Sequence, residues 1–246
     1  MIYYVGHMLS RYGANPTPVE FIAKRLSCHY DVLARSDKKQ KAARLWDAVA
    51  GLLNYRNRIE LVIIDVYAYQ SFWYSFTIGM LARSLGKPYV LYLHSDQLKA
   101  KYKTKPHSFQ RLLKHSRAIV SPSGYLKSFF EAKGYACLEI PNLINFSDYK
   151  GRIRESVNPN LVWIRAFHKN YHPSLAIEVM NLLVKQVPEA TLTMIGPVKD
   201  DTYEEVVQII REYGLESHVF LLDKQDKASF IEICKDKDIF LNTSRI

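Results

Sequence analysis

The sequence predicts an α/β protein made of two doubly wound parallel sheets in succession, and three observations predict it. The first is a set of short, continuously apolar runs such as 61–66 and 89–94; strands covered by helices on both faces read this way, without alternation. The second is that segments with helical apolar spacing separate these runs, so each strand reaches the next by a crossover. The third is a single break in the rhythm, an irregular polar stretch over 147–160 with Gly151, Asn158 and Pro159, after which the pattern restarts. The expected domains are therefore 1–150 and 151–246, with a ligand cleft where the two halves face each other.

Taken in order, 2–5 is a short apolar strand, and a turn-rich stretch over 6–18 leads into helical spacing at Val19, Phe21, Ile22, Ala23 and Leu26. Strand 30–34 follows, then a basic amphipathic helix over 38–58 with Leu45, Trp46, Val49, Leu52 and Leu53 on one stripe. A helix over 70–85, closed by Gly86 and Pro88, joins the apolar strands 61–66 and 89–94. Strand 118–120, helix 123–133 ended by Gly134, and strand 137–140 stopped by Pro141 complete the first half. The second half reads strand 161–164, helix 173–186, strand 191–195, helix 202–213, strand 219–222, helix 227–235 and strand 238–241. A doubly wound domain ordinarily continues past that point, so the second domain is expected to be incomplete.

Bulk properties narrow the classes. The chain has 34 Lys+Arg against 24 Asp+Glu, a net charge of +10, which calls for an anionic partner: nucleic acid, an anionic membrane face or a phosphorylated small molecule. Cys28, Cys137 and Cys234 are odd in number and widely spaced, so neither a disulfide framework nor a zinc site is indicated, and a reducing cytoplasm fits. The N-terminus lacks a basic, apolar leader, and no apolar run reaches the roughly 18 residues of a membrane span.

In an open parallel sheet, ligands sit beyond the carboxyl ends of the strands. Gly6, Asp65, His94, Ser121, Arg165 and Gly196 occupy those ends. His94, followed by Ser95 and Asp96, is either a satisfied structural histidine or a functional one. Asp65 reads as a helix-capping or turn acid. Arg165 follows four apolar residues and projects where a guanidinium can chelate a phosphate pair, the alternative being a salt bridge. Backbone amides after Gly196 and Pro197 can receive an anion, although Asp200 and Asp201 argue that this helix caps itself. Gly-x-Gly-x-x-Gly and P-loop motifs are absent, as are His, Cys or carboxylate clusters with ligand spacing, so no tightly held metal is expected. Lys99, Lys101, Lys103, Lys105, Arg111, Lys114 and Arg117, interleaved with Tyr102 and Phe109, form a basic stretch without an acid. It can meet an anionic lipid face, a nucleic acid or a diphosphate-bearing acceptor; a solvated loop and helix surface is the plainer account.

A resemblance to a known family emerges from the ordered set of motifs. Ala118-Ile119-Val120-Ser121-Pro122-Ser123 with Gly134, then Ile140-Pro141-Asn142-Leu143-Ile144-Asn145, resembles the signature closing the first domain of GT-B glycosyltransferases of the group 1, family 4 class. Tyr12-Gly13-Ala14-Asn15 with Glu20 is similar to their opening glycine-rich loop, and Tyr92-Leu93-His94 to the strand whose terminal histidine faces the transferred sugar. Leu161 to Arg165, Met194-Ile195-Gly196 and Asp238 to Ser244 resemble three later strands of the second domain.

This resemblance implies two Rossmann-like domains facing across a cleft. It also implies an enzyme that moves a sugar from a UDP- or GDP-sugar to a polysaccharide or lipid-linked glycan acceptor, in a bacterial-type surface-polysaccharide setting. Such enzymes usually retain anomeric configuration and use no metal, so no cofactor is expected. By position, His94 would lie by the sugar as the catalytic residue, and Arg165, Lys169, Gly13 and Gly196 would bind the donor. Lys99, Lys101, Lys103, Lys105, Arg111 and Lys114 would face the acceptor or the membrane, which implies a cytoplasmic protein, peripheral at the inner face of the cell membrane. The chain departs from the pattern twice. Asn170 and Tyr171 stand where the family has a second basic residue, leaving Lys169 as the substitute, and the glutamate-rich segment and returning terminal helix of the family are missing after Ser244. A truncated second domain, with little or no turnover, is therefore expected. The alternatives are a non-catalytic nucleotide- or acceptor-binding module, a related nucleotide-sugar epimerase, and last a basic nucleic-acid-binding protein, nucleic acid not being an expected partner.

Overall fold

A computed structural model describes residues 1–12, 16–68, 70–95, 97–143, 151 and 153–244. The chain forms two compact units, Met1–Ile144 and Asn145–Ile246. The division expected after 150 adjoins a stretch, 144–150, that lies outside the described residues.

The first unit runs β1 (Ile2–Val5), α1 (Pro18–Leu26), β2 (Val32–Arg35), α2 (Lys41–Asn54), β3 (Leu61–Val66), α3 (Ser71–Ser84), β4 (Tyr89–Leu93), α4 (Leu98–Thr104), α5 (Pro106–Lys114), β5 (Ala118–Ser121), α6 (Gly124–Glu131) and β6 (Leu138–Glu139). Its six strands are parallel in the order β2-β1-β3-β4-β5-β6. The chain leaves β1 for β2 on one side and returns to β3 on the other. That reversal is the topological switch point, where strand ends and the loops after them open a crevice.

Alternation along β1 divides the core between the two faces of the sheet. Tyr3 and Val5 join the large cluster with Leu52, Ile64, Phe72, Ile78, Leu91, Phe109 and Phe130, while Tyr4 packs with Val19 and Ala23 of α1 on the opposite face. The helix expected over 38–58 is shorter, because its first residues and its last turn fall outside the regular bonding of Lys41–Asn54. Of the loop and helix expected for the basic stretch around residue 100, most is helix: α4 and α5 bury Leu98, Tyr102, Phe109, Leu112 and Leu113, which recur at helical spacing.

The second unit runs β7 (Asn160–Ile164), α7 (Pro173–Val184), β8 (Thr191–Ile195), α8 (Thr202–Glu212), β9 (Val219–Leu222), α9 (Lys227–Lys235) and β10 (Ile239–Phe240). Four parallel strands lie in the order β10-β7-β8-β9, so β7 stands at this sheet's own reversal. Trp163 is fully buried between Phe167, Ile177 and Met194. Its indole N–H donates to Thr243 Oγ1 at 2.9 Å, and Thr243 donates to the Tyr171 carbonyl at 2.7 Å. This chain of bonds ties the segment after β10 to the loop after β7.

Candidate active site

In the first unit, the residues beyond the ends of β1, β3 and β4 enclose an open pocket of about 670 Å³. Four rings follow one another there: His7 stacks on Tyr67 (4.9 Å between centroids), Tyr67 on His94 (5.1 Å), and Tyr92 lies tilted against His94 (4.3 Å). Gly6 allows the end of β1 to come this close to β3, since a Cβ there would sit 2.5 Å from Asp65 Oδ2 and 2.8 Å from Val19.

Asp65 is the anchor of this arrangement, which corrects the capping role expected for it. Its carboxylate is buried and accepts from the Tyr4 hydroxyl at 2.9 Å and from His94 Nε2 at 2.9 Å, while its backbone carbonyl accepts from Ser75 Oγ at 2.7 Å. A capping acid sits at a helix start in solvent; Asp65 instead precedes the last residue of a central strand, 1% exposed. Because a carboxylate only accepts, the pairing places the proton of His94 on Nε2 and leaves Nδ1 as its basic nitrogen. His94 is thus satisfied structurally on one nitrogen, and it lines the pocket.

The surroundings suppress ionisation. Burial, aided by the nearby Arg44 guanidinium, brings the His7 imidazole down from its usual value to about 4. Burial, with the Asp65 charge second, pushes the phenols of Tyr4 and Tyr67 well above the usual range. These groups act as neutral donors, acceptors and stacking surfaces near neutral pH.

In the second unit Arg165 is exposed just past the end of β7. Its guanidinium lies over the Tyr171 ring at 5.7 Å, and its Nε donates to Ser244 Oγ at 3.3 Å. Both partners are neutral, so the charge stays available to a ligand. Gly196, assigned above to donor binding, lies where a Cβ would be 1.7 Å from the Arg165 carbonyl oxygen; only glycine permits the loops after β7 and β8 to touch there. Lys169 is exposed beside Arg165's loop, and its backbone N–H donates to Asp200 Oδ2 at 2.9 Å. Asp200 also accepts from the Thr202 hydroxyl at 2.7 Å and the Thr202 N–H at 3.2 Å, so the start of α8 is occupied by the protein's own carboxylate. These bonds, the Thr202 hydroxyl foremost, hold the Asp200 carboxyl below the usual range. The start of α7 differs: its first turn carries no acid and no side-chain cap bond.

The basic side chains of α4 and α5 divide. Lys99 Nζ sits 3.0 Å from the centre of the Tyr125 ring and Lys101 Nζ packs near Phe72 and Trp73, while Lys103, Lys105, Arg111 and Lys114 are exposed. Gly13 and Asp96 lie outside the described residues. Sequence reasoning missed His7, Tyr67, Lys41 and Arg44; the available signal was the position of His7 after Gly6 at the first strand end. Among the described residues no group of three or more His, Cys, Asp or Glu comes together as a metal site, and no helix is long and apolar enough to cross a membrane.

Two parallel α/β units, each with its candidate residues at the strand ends of a switch point, define the GT-B class of fold. Residues 151–246 match the family model described as glycosyl transferases group 1. That match spans the second unit, less than half of the chain. No curated protein sequence matches the chain. Anabaena Alr3699/HepE in complex with UDP is similar in structure at a TM-score of 0.73 and 15% identity, over 99% of this chain and 74% of that one. A glycosyltransferase from Rickettsia africae ESF-5 is similar at 0.67 and 12%, over 99% and 72%. A putative UDP-N-acetylglucosamine 2-epimerase from Listeria monocytogenes is similar at 0.58 and 12%, over 97% and 73%. At these identities the likeness establishes the shared fold.

Proposed function

We propose that this protein is a retaining glycosyltransferase that takes a sugar from a UDP-sugar bound by the second unit and passes it to a glycan or lipid-linked acceptor at the first, without a metal. The observation that carries the reading is Arg165: a guanidinium at a sheet reversal within the matched family region, held by neutral partners beside a helix start free of acid. As the bond from the anomeric carbon to the diphosphate breaks, negative charge grows on the leaving oxygens. Arg165, Lys169 and the amides opening α7 would meet it, doing work that a metal performs in other enzymes. His94, oriented by Asp65, would lie beside the transferred sugar with Nδ1 as its polar contact.

UDP is the favoured nucleotide because the similar HepE structure is a UDP complex. Isothermal titration with UDP, GDP and their sugar conjugates tests the reading. Binding of a uridine conjugate, weakened about tenfold or more by Arg165→Ala, is expected; equal binding by the variant overturns the role of Arg165. The anomeric configuration of the product, read by proton NMR, decides retention. Conversion of the nucleotide-sugar itself to an epimer would replace transfer by epimerisation.

A further inference from the structure

The Asp65 carboxylate is held unevenly. The Tyr4 hydroxyl, from β1, and Nε2 of His94, just after β4, both donate to the same oxygen, Oδ1, each at 2.9 Å. The other oxygen, Oδ2, is buried and has no partner among the described residues. It lies against Gly6, where a Cβ would meet it at 2.5 Å. One donor on each oxygen would leave nothing unpaired; two on Oδ1 make Tyr4 and His94 share a single acceptor.

Among the described residues no lysine or arginine bonds to this carboxylate. A buried carboxylate without a cation draws positive charge towards it. The imidazole of His94 can supply that charge by taking up a second proton. The Tyr4 hydroxyl opposes this, because its bond stabilises the anion at the very oxygen that His94 touches. Tyr4 is wholly buried, packs with Val19 and Ala23 of α1, and remains a donor because burial and the Asp65 charge push its phenol far above the usual range. The other rings around the pair, Tyr67, Tyr92 and His7, are uncharged near neutral pH. Glu20, whose charge reaches Tyr67, and Lys41, in the pocket lining, are charged.

We infer that Tyr4 is a positioning residue for His94, acting through Asp65: by sharing Oδ1 it limits the carboxylate's hold on the imidazole and leaves Nδ1 able to accept from a hydroxyl in the pocket. That this hydroxyl belongs to a sugar rests on the glycosyl-transfer reading; the coupling of Tyr4 to His94 does not.

The test follows the titration of the His94 ring by 15N NMR in the whole chain, the signal being assigned by its loss in His94→Gln. Tyr4→Phe keeps the ring and deletes only the hydroxyl, so the variant should fold, and the His94 midpoint should rise by about one pH unit. Val19→Ala loosens the same packing without touching the bond and should leave the midpoint in place. In an Asp65→Asn background, where the charge is gone, Tyr4→Phe should no longer raise it. In the unaltered protein the 13C signal of Tyr4 Cζ should shift with the His94 midpoint. A midpoint unmoved by Tyr4→Phe, moved as far by Val19→Ala, or moved as far without the Asp65 charge overturns the inference, as does a Tyr4 signal indifferent to His94. UDP titrated into the unaltered chain separates the two readings. Coupling without UDP binding removes the donor reading alone, and UDP binding without coupling removes this inference alone.

Discussion

His7 makes stability depend on pH in a calculable way. Half-buried between Tyr67 and Tyr74 and within the field of Arg44, its imidazole is brought down to about 4 in the folded protein, against the ordinary value of roughly 6.5 that the unfolded chain regains. A depressed histidine means that the unfolded chain takes up the proton first. Stability is therefore complete above about 6.5 and falls as the pH drops towards 4. Each pH unit in that window costs about 1.4 kcal/mol, so at pH 4.5 the folded state has lost at most about 2.5 kcal/mol through this group. His7→Phe keeps a ring against Tyr67 and removes the titration. The assay is urea unfolding of both proteins at pH 7.5 and 4.5. The carboxyls of Asp200 and Asp226, held low by Thr202 and Ser229, also lose stability on acidification, but equally in both proteins. The variant should lose about 2.5 kcal/mol less than the parent. Equal losses would refute a His7 kept neutral by its surroundings.

Three further outcomes are expected. Asp65→Asn offers His94 an amide that can donate as well as accept, so 15N NMR should show the imidazole leaving its single Nε2–H tautomer; an unchanged spectrum would show that Asp65 does not position it. Gly196→Ala drives a methyl into the Arg165 carbonyl, backbone that cannot swing aside, and should cost about 3 kcal/mol or more; an unfolding midpoint like the parent's would refute the close approach. Thr243→Val keeps the shape but strands the Trp163 indole N–H and the Tyr171 carbonyl. It should cost roughly 2 kcal/mol in urea, and a loss within experimental error would mean those bonds are replaced.

Arrangements of residues separate what could be read in advance from what could not. The apolar runs at β3 and β4 declared themselves because burial on both faces leaves no polar alternation, and that property is local. The strand-end positions of His94 and Arg165 were legible for the same reason: a continuous apolar run followed by one polar residue marks where a strand leaves the core. The packing of Lys99 and Lys101 was hidden by their charge, since lysines that lie over Tyr125 and Trp73 read in sequence as solvated.

The sequence by itself determined two parallel α/β units and the residues at their strand ends, because periodicity and burial act over a few neighbouring positions. Only the tertiary structure decided which strand ends meet. Tyr4 in β1, Asp65 in β3 and His94 just after β4 share one carboxylate oxygen because the strand order sets β1 beside β3, and β3 beside β4. Lys41 and Gln70 likewise lie 29 positions apart and meet over one pocket. Such pairings follow from strand order, a long-range property that no local spacing encodes.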